Sequence, residues 1–380
     1  MKNVKRQHIH FPGFEPLTSA QHYRRFLKGS ENAGKVWGSD FQISEFDEDK
    51  DSFSITANGK DWDAETNILI VEFGEHIQIY MQKPLIIRLL KGYLAFFEIL
   101  FNGGLFGYFK HAWRFGLFAI VPFLLISIGL SGIYHFTQLL SFGEPLNMLW
   151  SLPLSIAVFV YFYLPLCNRL HTVSLFANWV FTIALVRLND PKINAWLETM
   201  QDAVKQHIDQ DCDEILITTH SMGGSTGVHI IGALLEKYPD LFEGKTVVFS
   251  QLGGCVLQCA LPRPATTLRR RVGLIARNPS VEWLEVQCIT DAVIFYKADP
   301  VAIFGFTNPD KPTHKSFLRF KHQLKTPNYK RIKKDLLQLH RQYVLSADKL
   351  YKFDFIPFVA GPYISTERLQ RLIDKKPALD

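Results

Sequence analysis

The residues best suited to covalent chemistry lie in the stretch Ile217-Thr-Thr-His-Ser-Met-Gly-Gly-Ser-Thr226. The apolar segment before it, Glu214 to Thr218, reads as a buried strand, and Ser225 to Tyr238, ended by Pro239, reads as a helix. A serine on the sharp turn between such elements holds its hydroxyl above the edge of a sheet, where a carbonyl carbon can reach it. Its neighbours two before and two after must be small, because larger side chains would meet backbone. Gly223 and Gly224 meet that demand behind Ser221, whereas Thr219 stands ahead of it where glycine is usual. A serine hydroxyl is a weak nucleophile at neutral pH, so this chemistry also requires a base, a group to orient the base, and N–H donors for the developing oxyanion.

His220-Ser-Met-Gly-Gly224 after an apolar strand resembles the nucleophile elbow of the α/β-hydrolase superfamily. The order of elements over most of the soluble chain is similar to that family; Thr219 and a long apolar insertion before the elbow strand are departures. The resemblance implies a triad whose members follow in the order Ser, acid, His. Asp291, directly after a strand over Trp283 to Thr290, is then the first candidate acid, with Asp299 in Lys297-Ala-Asp-Pro-Val301 the alternative. For the base, His314, His322 and His340 follow. Ser316 to Leu324 reads as the last strand and would place His322 in the sheet, so His340 comes first and His322 second. The backbone N–H of Met222 is one expected oxyanion donor. His10-Phe-Pro-Gly-Phe14 resembles the family's strand-then-glycine loop, making Phe14, or Gly13, the second. The implied activity is hydrolysis of a carboxylic ester or thioester with no cofactor and no metal. Acyl transfer through the same triad, or an inactive hydrolase fold serving as a membrane scaffold, are the alternatives.

The remaining elements must position these groups. Arg6 to Phe11 reads as a strand, Asp40 to Phe46 and Phe53 to Ala57 as a hairpin, and Asn67 to Phe73 as a buried parallel strand. Asp190 to Gln210 reads as a helix capped by Asp190 with Pro191 at its first position, and Thr246 to Gln251 as a strand. Such alternation predicts an α/β fold, a mostly parallel sheet with helices on both faces. The aromatic-rich segment 302–320 is a candidate lid.

Two segments, Phe115 to Tyr134 and Pro145 to Asn168, contain no charged residue, and each is long enough to cross a hydrocarbon core of about 30 Å. They predict a transmembrane hairpin with spans about 115–134 and 146–167, inserted as 111–169 between 1–110 and 170–380 of one hydrolase domain. Lys and Arg flank the pair and are absent from the connector around Ser141-Phe-Gly-Glu-Pro-Leu, which orients both flanks to the cytoplasm. Tyr134, Trp150 and Tyr163 are expected interface anchors. Gly92 to Phe109 reads as interfacial or packed on the hairpin. Leu170 to Val186 reads as a helix on the membrane surface or in the core, with a third span the alternative. The lipid bilayer is thus the expected partner, a lipid or acyl ester the expected substrate, and the cytoplasmic membrane the expected location.

Composition agrees with a large core: 380 residues, 47% apolar and 13% aromatic. The net charge of +6 is spread thinly, with no basic stripe interleaved with aromatics, and argues against nucleic acid as a partner. The N-terminus, Met1-Lys-Asn-Val-Lys-Arg-Gln-His, does not read as a secretory signal. Five scattered cysteines, Cys167, Cys212, Cys255, Cys259 and Cys288, read as reduced, buried thiols, and Cys255 with Cys259 makes only a weak metal pattern.

Overall fold

The computed structural model describes residues 2–379, and its centre is one eight-stranded sheet in the order β2-β3-β4-β1-β5-β6-β7-β8. The strands are β1 (Lys2–Phe11), β2 (Asp40–Ile43), β3 (Ser52–Asn58), β4 (Trp62–Ile70), β5 (Glu214–His220), β6 (Val247–Leu252), β7 (Val281–Cys288) and β8 (His314–Leu318). Only β3 runs against the others: it pairs antiparallel with β2 and β4, and every remaining pair is parallel. The fold is therefore mixed α/β with a mostly parallel sheet. Strand β5 is buried along its whole length, which is why its sequence is a continuous apolar run rather than an alternation.

The N-terminal part contributes one sheet-covering helix, α1 (Ser19–Trp37). Thr18 and Gln21 close its start with a reciprocal capping box, and Gly38 ends it in a left-handed turn. After β4 come α2 (Gly74–Met81), α3 (Leu85–Phe101), α4 (Gly104–Ser141), α5 (Pro145–Val158), α6 (Leu164–Arg169) and α7 (Thr172–Arg187), of which α4 to α6 make up most of the insertion. A π-helical turn, Phe159–Tyr163, joins α5 to α6. Then come α8 (Pro191–Ile208), α9 (Gly223–Lys237), α10 (Val256–Ala260), α11 (Thr266–Arg277) and α12 (Pro300–Ile303). The chain ends with α13 (Phe320–Gln323), α14 (Thr326–Ile332), α15 (Leu336–His340), α16 (Phe355–Ala360) and α17 (Ser365–Ile373). Helices cover both faces: α8, α9 and α11 pack on one around Ile9, Phe11 and Ile217. On the other, α1, α16 and α17 enclose Phe26, Ile68 and Leu216. As expected, Asp190 caps α8, its carboxylate accepting from Lys192 and Ile193 N–H.

The middle of the sheet is tied by charge. Arg6 on β1 stands opposite Glu214 on β5 in register, and Glu214 also accepts both guanidinium nitrogens of Arg368 on α17 at 2.7 and 2.8 Å. Arg6 donates further to Thr66 and to the carbonyls of Val359, Gly361 and Tyr363. Both ends of the chain are thereby fastened to the centre of the sheet. Beside this network His8 and His10 share the hydroxyl of Thr218 at 2.7 and 2.8 Å.

Two helical stretches are long and apolar enough to cross a membrane, Gly104–Ser141 and Pro145–Arg169. Both exceed the expected spans, because helical hydrogen bonding continues past the apolar run into Lys110, His111 and Arg114 at one end and His135 and Gln138 at the other. A non-helical Ala112 (φ −157°) bends the first near its base. The two pack together through Thr137, which donates to Ser155 at 2.9 Å. Tyr163 does not act as a free interface anchor: its hydroxyl donates to the Leu125 carbonyl at 2.7 Å and ties the helices, whereas Tyr134 and Trp150 are exposed as expected. Helix α3 packs one face on α7 and leaves Ile86, Leu90, Leu94, Phe97 and Phe101 exposed at helical spacing along the other. Of the readings for 170–186, burial agrees with a helix in the core. Helix α7 is buried over most of its surface, and the break to α8 turns the chain by 70° so that α8 lies on the sheet.

Further expectations need correction. The Asn67 to Phe73 strand leaves the ladder at Ile70, and β4 instead begins at Trp62, across a tight turn from β3 in which Gly59 N–H bonds to the Trp62 carbonyl. The segment 302–320 is not a lid. Its C-terminal half is β8, the edge strand on β7, with Ser316 and Leu318 buried. The stretch Ser316 to Leu324 turns from strand to helix after Leu318, because Phe320 must fold inward to reach Tyr343.

Burial works against the charge of Glu214, but Arg368 and Arg6 outweigh it and hold the carboxyl down to about 2, against an ordinary 4.5. A depressed carboxylate stabilises the fold fully above its unfolded value and loses that contribution as pH falls toward the folded one. Glu214→Gln is expected to cost about 3–5 kcal/mol at neutral pH by leaving two buried guanidinium groups uncompensated. It should also flatten the decline in thermal stability between about pH 5 and pH 2, measured by unfolding scans beside the wild type. An unchanged acid profile would show that the network does not couple to folding.

Candidate active site

Ser221 sits between β5 and α9 with a left-handed backbone, φ 54°, uncommon for a residue bearing a Cβ. The turn holds because its neighbours leave no alternative. The Ser221 carbonyl accepts the N–H of Cys255 at 3.0 Å and that of Gly224 at 3.1 Å. A Cβ on Gly223 would lie 2.2 Å from the Phe11 carbonyl oxygen, so the first turn of α9 passes against the end of β1. Thr219, the departure in the motif, is accommodated from α9: a Cβ on Gly227 would lie 2.9 Å from its methyl group. The room that a glycine at 219 would provide is provided by the glycine at 227. The Thr219 hydroxyl donates to the Ser250 carbonyl at 3.3 Å.

Asp291 and His340 come together across 49 positions of chain. The Asp291 carboxylate, 1% exposed, lies 2.7 Å from His340 Nδ1. Its other oxygen accepts the Val293 N–H at 2.8 Å, closing the turn after β7. Tyr343, fully buried three residues beyond the histidine, accepts the Cys288 N–H at 2.7 Å on its hydroxyl and packs its ring 6.0 Å from that of His340. The carboxylate is thus held by Val293 and His340, and the side of the imidazole carrying Nδ1 is settled by it. His340 Nε2 is buried with no hydrogen-bond partner. It lines one small cavity, about 60 Å³, with Ser221, Phe14, Asn178, Gln258 and Leu337. Cys255, whose N–H holds the Ser221 carbonyl, points its thiol to the Val293 carbonyl at 3.2 Å.

His220 holds the base from the other side. Its Nε2 donates to the His340 carbonyl at 3.1 Å, and the two rings lie 4.7 Å apart. Burial, then the neighbouring His340, pushes His220 down to about 3, so it is neutral and can act as this donor. The loop after β1 is drawn up to the same place: a Cβ on Gly13 would lie 3.1 Å from that of Ser221. Glu15, just beyond, binds Arg25 on α1 and Arg341, next to the histidine, at 2.6 Å. Burial opposes its charge, but the two arginines hold its carboxyl down to about 2. Phe14, half-buried, is carried into the cavity by this strap, and Met222 starts α9 directly after the serine.

The alternatives lie elsewhere. Asp299 caps α12 through the Val301 and Ala302 N–H groups and pairs with Lys315 at 3.0 Å. His322 is exposed on α13, stacked on Tyr351. His314 bonds Glu282 at 3.0 Å on the sheet's far edge. Cys255 and Cys259 are buried free thiols, and no cluster of three or more metal-ligating side chains occurs among the described residues. Sequence reading does not find His220, Tyr343 or Glu15 as positioning residues. Their partners are remote in the chain, and only the adjacency of His220 to Ser221 and of Tyr343 to His340 was there to be seen. Compared with protein-family models, with curated proteins and with solved structures, the chain finds no match.

The exchange of space between Thr219 and Gly227 can be measured. Gly227→Ala is expected to destabilise the protein by about 1–3 kcal/mol through overpacking, despite the higher helix propensity of alanine. Adding Thr219→Gly should recover at least about 1 kcal/mol of that loss in a double-mutant cycle read by denaturant unfolding. Strict additivity would mean that the two positions do not compete for room.

Proposed function

We propose that the chain is a membrane-anchored serine hydrolase of the α/β-hydrolase type, cleaving a carboxylic ester or thioester of a lipid or other acyl-chain substrate. The observation that carries this reading is the conjunction at one cavity of a serine on a left-handed strand-to-helix turn and a histidine whose far nitrogen is 2.7 Å from a buried aspartate. The order Ser221, Asp291, His340 is that of the superfamily. In the reaction, the Ser221 hydroxyl engages His340 Nε2, the nitrogen left without a partner. The Oγ–carbonyl bond forms as the proton passes to Nε2, and Asp291 stabilises the resulting imidazolium without taking the proton. The N–H groups of Met222 and Phe14 receive the oxyanion. Collapse breaks the C–O or C–S bond, His340 gives its proton to the leaving alcohol or thiol, and water then releases the acyl group by the same steps.

The apolar hairpin supplies the anchor. Strands β1 and β5 are neighbours in one sheet yet flank the insertion, so the chain crosses the bilayer an even number of times between them. Two crossings fit the two long apolar helices, and the distribution of Lys and Arg supports a sheet on the cytoplasmic side. The exposed apolar face of α3 then rests on the membrane surface. A site held there meets amphiphilic substrates at high effective concentration.

Labelling of the detergent-solubilised protein with a fluorophosphonate tests this. Ser221→Ala and His340→Ala should abolish it, and Asp291→Asn should slow it by about 10³–10⁴-fold while the fold persists. Folded wild type that takes up no probe would overturn the reading. Ser221→Gly should be inactive yet more stable than wild type by about 1 kcal/mol, since glycine relieves the left-handed backbone. Thermal unfolding of the pair measures it.

A further inference from the structure

Resting on that reading, we propose that the cavity between the base of the hairpin and the sheet is the chamber for the substrate's acyl chain. Its volume is about 510 Å³, within the common range of about 300–1,000 Å³ for ligand sites. The small cavity at Ser221, about 60 Å³, holds a reacting carbonyl but no chain. Phe118, Leu175 and Leu337 line both spaces, so a single layer of apolar side chains divides them. Phe118 and Leu337 are only half-buried, and Leu337 lies one helical turn before His340, so the partition is built from side chains at the site itself. Movement of these side chains would join the two.

The walls suit an alkyl chain. Leu117, Val121 and Pro122 of α4, Leu175 of α7 and Leu337 of α15 face the space. Its lip is apolar and exposed, formed by Trp113, Leu117, Val121 and Leu170. Leu117 and Val121 stand on the helix proposed to enter the bilayer, so a chain longer than the chamber runs along α4 into the hydrocarbon. Arg114, Arg169 and Lys334 line the same space, as does Asp335, whose carboxylate is turned to His171 at 3.3 Å. The three basic residues set it at the level of the membrane's anionic head groups, with the apolar lip just below. The substrate class that follows is a long-chain acyl ester or thioester taken laterally from the membrane.

The test compares two fluorophosphonates, one ethyl and one hexadecyl, on protein in phosphatidylcholine nanodiscs. Fluoride leaves as the Ser221 Oγ–phosphorus bond forms, and the alkyl group occupies the acyl position. Each buried methylene is worth about fourfold in binding, so a chamber holding several gives a strong preference for the long probe. Val121→Trp, and independently Leu117→Trp, fill the chamber from its lip. The ratio of long-probe to short-probe rate constants is expected to fall at least about tenfold in each, and Leu130→Trp, on the exposed face of the same helix outside the chamber, should keep it. If the short probe labels every variant and the ratio does not move, the chain lies elsewhere and the proposal is overturned. If neither probe labels the folded wild type, the hydrolase reading fails first and takes the chamber with it.

Discussion

The pairing of β1 with β5 is the constraint on which the rest depends. Arg6 faces Glu214 at one end of the ladder and Phe11 faces Thr219 at the other. The first end anchors the ion network that gathers both chain ends. The second fixes where the chain leaves β1, so that Gly13 and Phe14 arrive against the turn that carries Ser221. A slip of one residue would turn every side chain of β1 to the opposite face and expose Arg6 to the apolar side of the sheet. The same pairing makes the apolar hairpin an excursion from a sheet already committed on both sides of it.

What could be read in the sequence is what is local. The strand, turn and helix around Ser221 lie within two dozen residues, and each has its own pattern, so the element types and the position of the serine are visible at once. Position relative to the predicted strands ranks Asp291 above Asp299 and His340 above His322, but the reason is geometric: Asp291, in the turn after β7, meets His340, while Asp299 is consumed by capping α12. Thr219 looks like a defect in the motif until Gly227, a turn into the next helix, is placed against it. The support given by Tyr343, His220 and Glu15 depends on register and packing over long separations, which periodicity does not encode. Helix α1 is a different case. Its Thr18 and Gln21 capping signature lies in plain view, yet its long polar face hides the apolar stripe of His22, Phe26 and Ala33.

Helix α7 is the joint between the sheet and the apolar insertion. It receives Gln258 of α10 through Asn178 and Thr182, and its Leu185 carbonyl faces His229 of α9. On its other side Phe176 packs on Gly92 of α3. Residues Ser174, Leu175 and Asn178 line the cavity of Ser221 from the same helix. One helix therefore roofs the candidate site and seats the insertion, so a displacement of the insertion is felt at the site through a rigid element rather than a loop.

The separation between the two halves of the sheet has a further consequence, for the birth of the protein. When β1 and β4 leave the ribosome, β1 can pair on one side only, because Glu214, the partner of its Arg6 on the other side, lies 208 residues further along the chain. Domains form as units during synthesis, and non-local strand pairing is slow. On the proposed anchoring, the half-sheet keeps an open, apolar edge while the two long helices are delivered to the bilayer. Biogenesis would then be ordered: insertion first, with the sheet closing around Arg6 and Glu214 only afterwards.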